Sequence, residues 1–316
     1  MLNPRVKLRH LTTFLEVARL KSVGKAADIL GVTQPAVSKT LQELEELLKA
    51  PLFDRSRRSL VLTAFGEVFL RYAGASITAL RQGFDSVARE RGSDVVAVRI
   101  GALPTVSARI LPRALAHFTA QRLGMKPRVV TGPNAYLLSQ LRLGDLDLVI
   151  GRMAEAPVMA GFAFEHLYSE KIVLAVRAGH PLLMAQPFDF AAIERYQVLM
   201  PPPDSVIRPT VDRFLIAHGI GPFADEIETV SDSFGGGYVR AGDAIWIISE
   251  GVVAEDIREG RLAPLPIDTG DTLGPVGLTT RAGMALPVAA ELFAQSVRAV
   301  MGQDAVVTMP AWRQGA

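Results

Sequence analysis

The sequence predicts an all-α N-terminal region with a small β-hairpin, extended by one long helix and followed by a two-lobed α/β body. Three observations predict it. After Gly31 and Thr33, Val37, Leu41, Leu44 and Leu48 recur at spacings of 4, 3 and 4, one buried face of a short helix. From Thr63 to about Arg89, Phe65, Phe69, Tyr72, Ile77, Leu80, Phe84 and Val87 follow a rough three-to-four alternation. Beyond Asp94 the pattern changes to short β-rich runs separated by helical segments, which argues for parallel sheets with crossover helices.

Taken in order, residues 8–20 put Leu8, Leu11, Leu15 and Ala18 on one face of a first helix. Ala26 and Ala27 open a second, which ends near Leu30, and Gly31 marks its stop. Thr33 can cap a third helix by offering its hydroxyl to the free N–H groups of the first turn. Pro35 is harmless there, because those N–H groups have no intrahelical partner. Opposite the apolar face, Gln34, Ser38 and Gln42 line up with Lys39 beside them. This is a helix-turn-helix, one helix bracing and the next presenting amide, hydroxyl and ammonium groups to base edges and phosphates. Thr33, Gln34, Pro35, Ala36, Ser38 and Lys39 are its candidate DNA contacts, with Pro35 making at most an apolar one. Leu52 to Leu62 reads as a hairpin, the wing of a winged helix, with Arg55, Arg57 and Arg58 at a basic tip. Those cations suit phosphates or a minor groove; solubilising surface charge is the alternative.

The string AADILGVTQPAVSKTLQELEELLKAPLFDRSRRSLVLTAFGEVFL closely resembles the N-terminus of LysR-type transcriptional regulators, and the likeness runs from about Leu8 to Leu70. A long helix with such a stripe cannot bury it against a domain of about 60 residues, so it pairs with its copy or packs on its own C-terminal domain. The resemblance implies the first, a dimerising linker helix. The expected organisation is a winged helix-turn-helix domain at 1–62, linker helix and hinge at 63–93, and an effector-binding domain at 94–316. Lobe I would take about 94–166 plus 276–304, and lobe II about 167–275.

Strands are expected at 95–101, 128–131, 146–151, 171–176, 198–200, 227–230, 244–248 and 278–280. Helices are expected at 107–122, 135–143, 209–218 and 287–301. The segments IGALPTVSARILPRAL, LRLGDLDLVIGR, LYSEKIVLAVRAGHPL and YVRAGDAIWIISEGVV fall where the LysR-type effector domain has corresponding elements. That domain is similar to periplasmic solute-binding proteins. Several stretches, including RYAGASITALRQ and GALPTVSARILP, resemble more closely the subgroup that regulates protocatechuate (pca operon) degradation.

Small ligands bind at strand ends facing the cleft of such sheets. Leu103, Pro104 and Thr105 follow the first strand, Asn134 begins the second helix, and Arg152 follows the third strand. Pro201, Pro202 and Ser205 belong to a loop able to close from the other side, and Phe234 begins a helix there. The resemblance implies that Thr105, Asn134 and Arg152 contact carboxylated aromatic-pathway metabolites, with Pro201-Pro202 as the opposing wall. A guanidinium binds a carboxylate bidentately. The other reading of Arg152 is an ion pair with an acidic residue across the hinge. Thr105, Asn134 and Ser205 serve equally as helix caps, and Pro201 to Pro203 as a rigid loop.

Composition narrows the function classes. With 49% hydrophobic and 21% charged residues the chain is globular, not disordered. Residues 1–91 hold 15 Lys and Arg against 9 Asp and Glu, and the remainder 19 against 23, a basic nucleic-acid module on an acidic body. The absence of cysteine excludes disulfides, zinc-thiolate sites and a thiol nucleophile. Residues 1–10 show no signal-peptide pattern, no run approaches the roughly 18 apolar residues of a membrane helix, and a cytoplasmic location is expected. The histidines His10, His117, His166, His180 and His218 lack metal spacing, and no GxxxxGK, HExxH or GxSxG motif occurs. Gly235-Gly236-Gly237 lacks the surroundings of a phosphate loop, which leaves a flexible helix or a tight turn. No catalytic residue, metal or cofactor is therefore expected.

The leading expectation is a LysR-type regulator, chiefly an activator, that responds to a small carboxylate of aromatic catabolism. It would bind an interrupted palindrome in double-stranded DNA as a dimer or dimer of dimers and act on RNA polymerase. A regulator of sugar uptake or another catabolic operon is the alternative. Outside that class stand an enzyme built on a two-lobed domain and an architectural DNA-binding protein.

Overall fold

The computed structural model describes residues 4–54, 60–90 and 96–307. The chain divides into two compact units, Met1–Val96 with Leu138–Leu146, and Ala97–Leu137 with Asp147–Ala316.

The first unit begins with three helices, α1 (Leu8–Leu20), α2 (Val23–Leu30) and α3 (Gln34–Leu48). A two-stranded hairpin, β1 (Phe53–Asp54) and β2 (Val61–Leu62), leads into α4 (Ala64–Glu90). Gly31 stops α2 in the left-handed region, φ 64°, where glycine carries no Cβ penalty. Phe14 is fully buried, with Phe53 and Phe69 at centroid distances of 5.4 and 5.1 Å, so α1 is the centre of the core. Val37, Leu41 and Leu44 of α3 join that core, but Leu48 is 36% exposed because the last turn of α3 outruns it. The Glu45 carboxylate accepts the Leu52 and Phe53 amides at 2.7 and 3.2 Å, which pins the hairpin to α3.

Three sides of α4 have different fates. Phe69, Leu70, Ala73 and Ile77 pack into the core of the unit. Gly74 meets the backbone of Arg142, where a Cβ would overlap the carbonyl oxygen, and Arg81 Nη1 donates to the Gly144 carbonyl at 2.6 Å. Phe65, Val68, Tyr72, Leu80, Phe84 and Val87 remain exposed. The alternative of packing on the chain's own C-terminal region thus accounts for one side of the helix, but not for the apolar stripe.

The second unit continues with β3 (Val96–Ala102), α5 (Pro104–Ser107), α6 (Ile110–Ala120), β4 (Met125–Thr131), α7 (Asn134–Leu143), β5 (Leu148–Arg152) and β6 (Phe162–Glu170). Then come β7 (Ile172–Arg177), α8 (Pro181–Met184), a 3-10 turn at Phe190–Arg195, β8 (Val198–Met200), α9 (Arg208–Ala217), β9 (Glu226–Glu228) and α10 (Asp232–Ala241). The remainder is β10 (Ile245–Ser249), α11 (Glu250–Arg258), β11 (Leu262–Pro264), a 3-10 turn at Gly270–Thr272, β12 (Gly274–Arg281) and α12 (Val288–Val307). One sheet has the order β4-β3-β5-β12-β6 and the other β11-β7-β10-β8-β9, and each is the floor of a lobe.

Both sheets are mixed, which corrects the expectation of parallel ones. β3 with β5, and β8 with both β9 and β10, are parallel. β12 runs antiparallel to β5 and β6, and β7 antiparallel to β10 and β11. The strand that receives the chain after each crossing, β7 in one lobe and β12 in the other, enters from the hinge side, and this reverses it. The helix expected at 107–122 is found at Ile110–Ala120, with the separate short α5 before it and a break at Ala108-Arg109. β6 lies outside the expected strands, because its half-exposed FAFEHLYSE pattern carries no apolar run. The triple glycine lies inside α10, where Gly235 lets the helix press on Trp246; a Cβ there would sit 2.5 Å from the indole ring.

At Gly66, in the first turn of α4, a Cβ would overlap the Leu52 carbonyl oxygen. Gly66→Ala should lower stability by about 1–3 kcal/mol through overpacking. Gly83→Ala, on open helix surface, should raise it by up to about 1 kcal/mol. Urea unfolding of the two variants checks both signs.

Candidate functional site

The first unit presents α3. Thr33 caps it, its hydroxyl accepting from the Ala36 amide at 3.4 Å. Thr33, Gln34, Pro35, Ala36 and Lys39 are exposed or half-buried, as is Ser38, so the N-terminal half of the helix offers neutral polar groups and one ammonium. The acidic residues crowd the other half and are engaged. Glu43 takes both His10 and Arg9 at 3.3 Å, and the His10 hydrogen bond above all holds its carboxyl below the ordinary range. Glu46 accepts from Gln42 at 3.1 Å, which draws Gln42 away from the line formed with Gln34 and Ser38. Arg55, Arg57 and Arg58 lie outside the described residues.

The second unit holds a pocket between its lobes, with about 530 Å³ of empty space including its mouth. Parallel strands create it. β3 and β5 end on the same side and deliver Leu103, Pro104, Thr105 and Arg152, and α7 adds Asn134. β8 and β10 do the same from lobe II, delivering Pro202 and Ser205 from the loop after β8 and Ser249 from the end of β10. Seven of the nine sequence-predicted residues therefore line one cavity. Pro201 and Phe234 do not. The Pro201 carbonyl accepts from Arg208 at 2.9 Å. On α10 the buried face belongs to Gly235, Gly236 and Val239, so Phe234 is 46% exposed, its ring beside Tyr238.

Sequence reasoning missed Ser249 and the apolar wall of Val206, Ile207, Val230, Ile248 and Val252. Strand-end logic applied to the Ile245–Ile248 run would have found Ser249. The wall residues lie on loops, the end of β10 and α11, which only the packing brings together.

Among the lining residues Arg152 is the one cation and Asp204 the one anion. Arg152 is buried, and its guanidinium is engaged: Nη1 donates to the Glu170 carbonyl at 3.2 Å and Nη2 to the Thr272 carbonyl at 2.6 Å. Asn134 donates its amide to the Arg152 carbonyl at 3.3 Å. Thr105 caps no helix; its hydroxyl donates to the Glu170 carboxylate. Burial pushes the Glu170 pKa up, against the opposing influence of Thr105, Arg152, Ser249 and the Gly251 amide. Burial first, then the Glu170 charge, also raises Tyr168. Among the described residues no cluster of His, Asp and Glu is arranged to hold a metal ion, and no helix is long and apolar enough to cross a membrane.

Residues 8–67 match the bacterial regulatory helix-turn-helix protein family of the lysR type, and residues 92–302 the LysR substrate binding domain. The chain is 54% identical over 303 residues to the HTH-type transcriptional regulator PcaQ of Agrobacterium fabrum, covering 96% of this chain and 97% of that one. It is 34% identical to the regulator YdcI of Escherichia coli, covering 95% and 98%. Among solved structures, full-length LysG of Corynebacterium glutamicum with bound effector Arg superposes with a TM-score of 0.63 at 19% identity, covering 94% of this chain and 99% of that one. A full-length OxyR variant of Pseudomonas aeruginosa gives 0.60 at 22%, covering 92% and 97%; these likenesses bear on the fold. Both functional regions match the two halves of one family, and the chain belongs to the LysR family.

Proposed function

We propose that the chain is a cytoplasmic DNA-binding transcriptional regulator, not an enzyme, which activates a catabolic operon in response to a small carboxylated metabolite of the protocatechuate pathway. The exposed, neutral-polar half of α3, with its acidic half tied down, is the observation that carries the DNA reading. Gln34, Ser38 and Lys39 contact base edges and phosphates, Thr33, Pro35 and Ala36 shape the approach, and Arg55, Arg57 and Arg58 contact phosphates or the minor groove. Identity to PcaQ across both units supports the pathway. Leu103, Pro104, Thr105, Asn134, Arg152, Pro202 and Ser205 form the effector site, with Ser249 added. Pro201 supports it only through its loop, and Phe234 has no part in it.

The exposed stripe on α4 supports a homodimer. Six large apolar side chains on one helix are an unusual amount of exposed surface for a protomer, and pairing with a second copy would cover them. Such a dimer places two recognition helices on an interrupted palindrome. An effector that binds one arrangement of the lobes better than another shifts the population between them, and with it the contact made with RNA polymerase.

Selection of bound fragments from genomic DNA supplies the operator. Gln34→Ala and Ser38→Ala should each cost about 1–3 kcal/mol at the selected site and little on unrelated duplex. Lys39→Ala should weaken both and reduce the slope of log affinity against log salt by about one. Equal losses on both duplexes for all three variants would refute base reading by α3.

For the effector, thermal shift of the whole chain is measured against protocatechuate, carboxymuconates, β-ketoadipate, other aromatic acids and sugar acids. A true effector raises the melting temperature with concentration, by about 2.7 kcal/mol of stabilisation at a hundred times its Kd. Response to a sugar acid alone would overturn the pathway assignment in favour of sugar-uptake regulation. No response to any acid would overturn the carboxylate reading.

A further inference from the structure

The lobes are joined by two chain crossings, one where β6 passes into β7 at Glu170–Ile172, the other where the second 3-10 turn passes into β12 at Thr272–Gly274. One side chain reaches both. Arg152 donates to the Glu170 carbonyl of the first and the Thr272 carbonyl of the second. Gly274 makes this possible, since a Cβ there would overlap the guanidinium. The crossings are also tied directly, Ile172 N–H donating to the Thr272 hydroxyl at 2.9 Å.

The Glu170 side chain extends the arrangement into each lobe. One oxygen accepts a hydrogen bond from the hydroxyl of Thr105, a residue of the pocket wall in lobe I. The other makes no hydrogen bond of good geometry and lies against lobe II, where a Cβ on Gly251 would sit 2.6 Å from it. Glu170 is 5% exposed, and the ionisable groups acting on it are Arg152 from β5 and Tyr168 from its own strand.

Resting on the reading of the pocket as an effector site, we propose that Arg152 and Glu170 are positioning residues of the hinge, and that occupancy of the pocket reaches the first crossing through the Thr105 hydroxyl. The two Nη donors of Arg152 that the hinge uses are committed to buried backbone carbonyls, one at each crossing. Thr105 has one proton to give, and Glu170 holds it. A carboxylate in the pocket only accepts hydrogen bonds, so it gains Thr105 by displacing Glu170. The displaced, buried carboxylate beside Arg152 then has to find new partners, and its own backbone is the first crossing.

Amide hydrogen exchange on the full chain without added ligand tests this. Arg152→Ala should speed exchange at both crossings, including the Ile172 amide, by roughly tenfold or more, with the interior strands β3 and β10 unchanged. Arg152→Lys, a point donor unable to span both carbonyls, should free one crossing, and it carries the test if the alanine variant does not fold. Thr105→Val should speed the first crossing alone. Glu170→Gln, whose amide oxygen still accepts from Thr105, should match the parent chain where Glu170→Ala does not. Unchanged crossings in the Arg152 variants, or a rise spread evenly over both lobes, would overturn the hinge role. A Thr105→Val chain identical to the parent would overturn the route from the pocket. Because no ligand is added, this result stands or falls apart from the thermal-shift result on the effector.

Discussion

Where a chain leaves one sheet to enter another, its backbone polar groups lose their ladder partners, and in a buried hinge water does not replace them. The Glu170 and Thr272 carbonyls lie buried at the two crossings, and both are answered by the guanidinium of Arg152. The geometry of the pocket depends on that answer. Arg152 ends β5, Thr105 follows β3, and Ser249 ends β10, so holding the crossings also holds the pocket walls at their separation. The guanidinium is suited to the task because it presents several donors in a rigid plane, whereas an ammonium offers a single point.

The pocket follows from strand direction. In each lobe a parallel pair opens at its C-terminal end, and the two pairs face one another across the hinge. What the strands deliver is mostly apolar, with hydroxyl and amide groups from Thr105, Asn134, Ser205 and Ser249 among aliphatic side chains. Such a lining favours a ligand with an apolar body and few polar atoms, whose placement by hydrogen bonds sets its orientation. An aromatic or unsaturated acid has that form more nearly than a sugar acid, whose many hydroxyls would lack partners here.

Much of this was legible in the sequence wherever the determining physics is local. The Thr33 cap, the Gly31 stop and the buried spacing of Val37, Leu41 and Leu44 involve neighbours a turn apart, and the structure holds them as read. The strand-end rule also located most of the pocket, because it needs only element order. It failed where partners are distant. The donors of Arg152 go to residues 18 and 120 positions away, and no spacing rule connects those. Phe234 lies outside the pocket because the facing of α10 is decided by Gly235 against Trp246, a contact between elements. Leu48 continued a good period past the point where there was anything left to cover. The reversed directions of β7 and β12 follow from the need to cross the hinge twice, a property of the whole topology.

Helix α4 shows how one sequence pattern serves several demands. Its rough three-to-four alternation is the superposition of two apolar faces, one inside the core of the first unit and one exposed. Small residues fall between them: Gly66 beneath the Leu52 carbonyl and Gly74 beneath that of Arg142. Each glycine costs helix propensity, of order 1 kcal/mol, and that cost is tolerable only where it permits a close backbone approach. The exposed face, by contrast, is built from Phe65, Tyr72 and Phe84, large side chains with no such compensation inside the protomer. Those residues make sense on a helix whose third side is meant to be covered by something other than its own chain, and a second copy presents the same stripe at the same spacing.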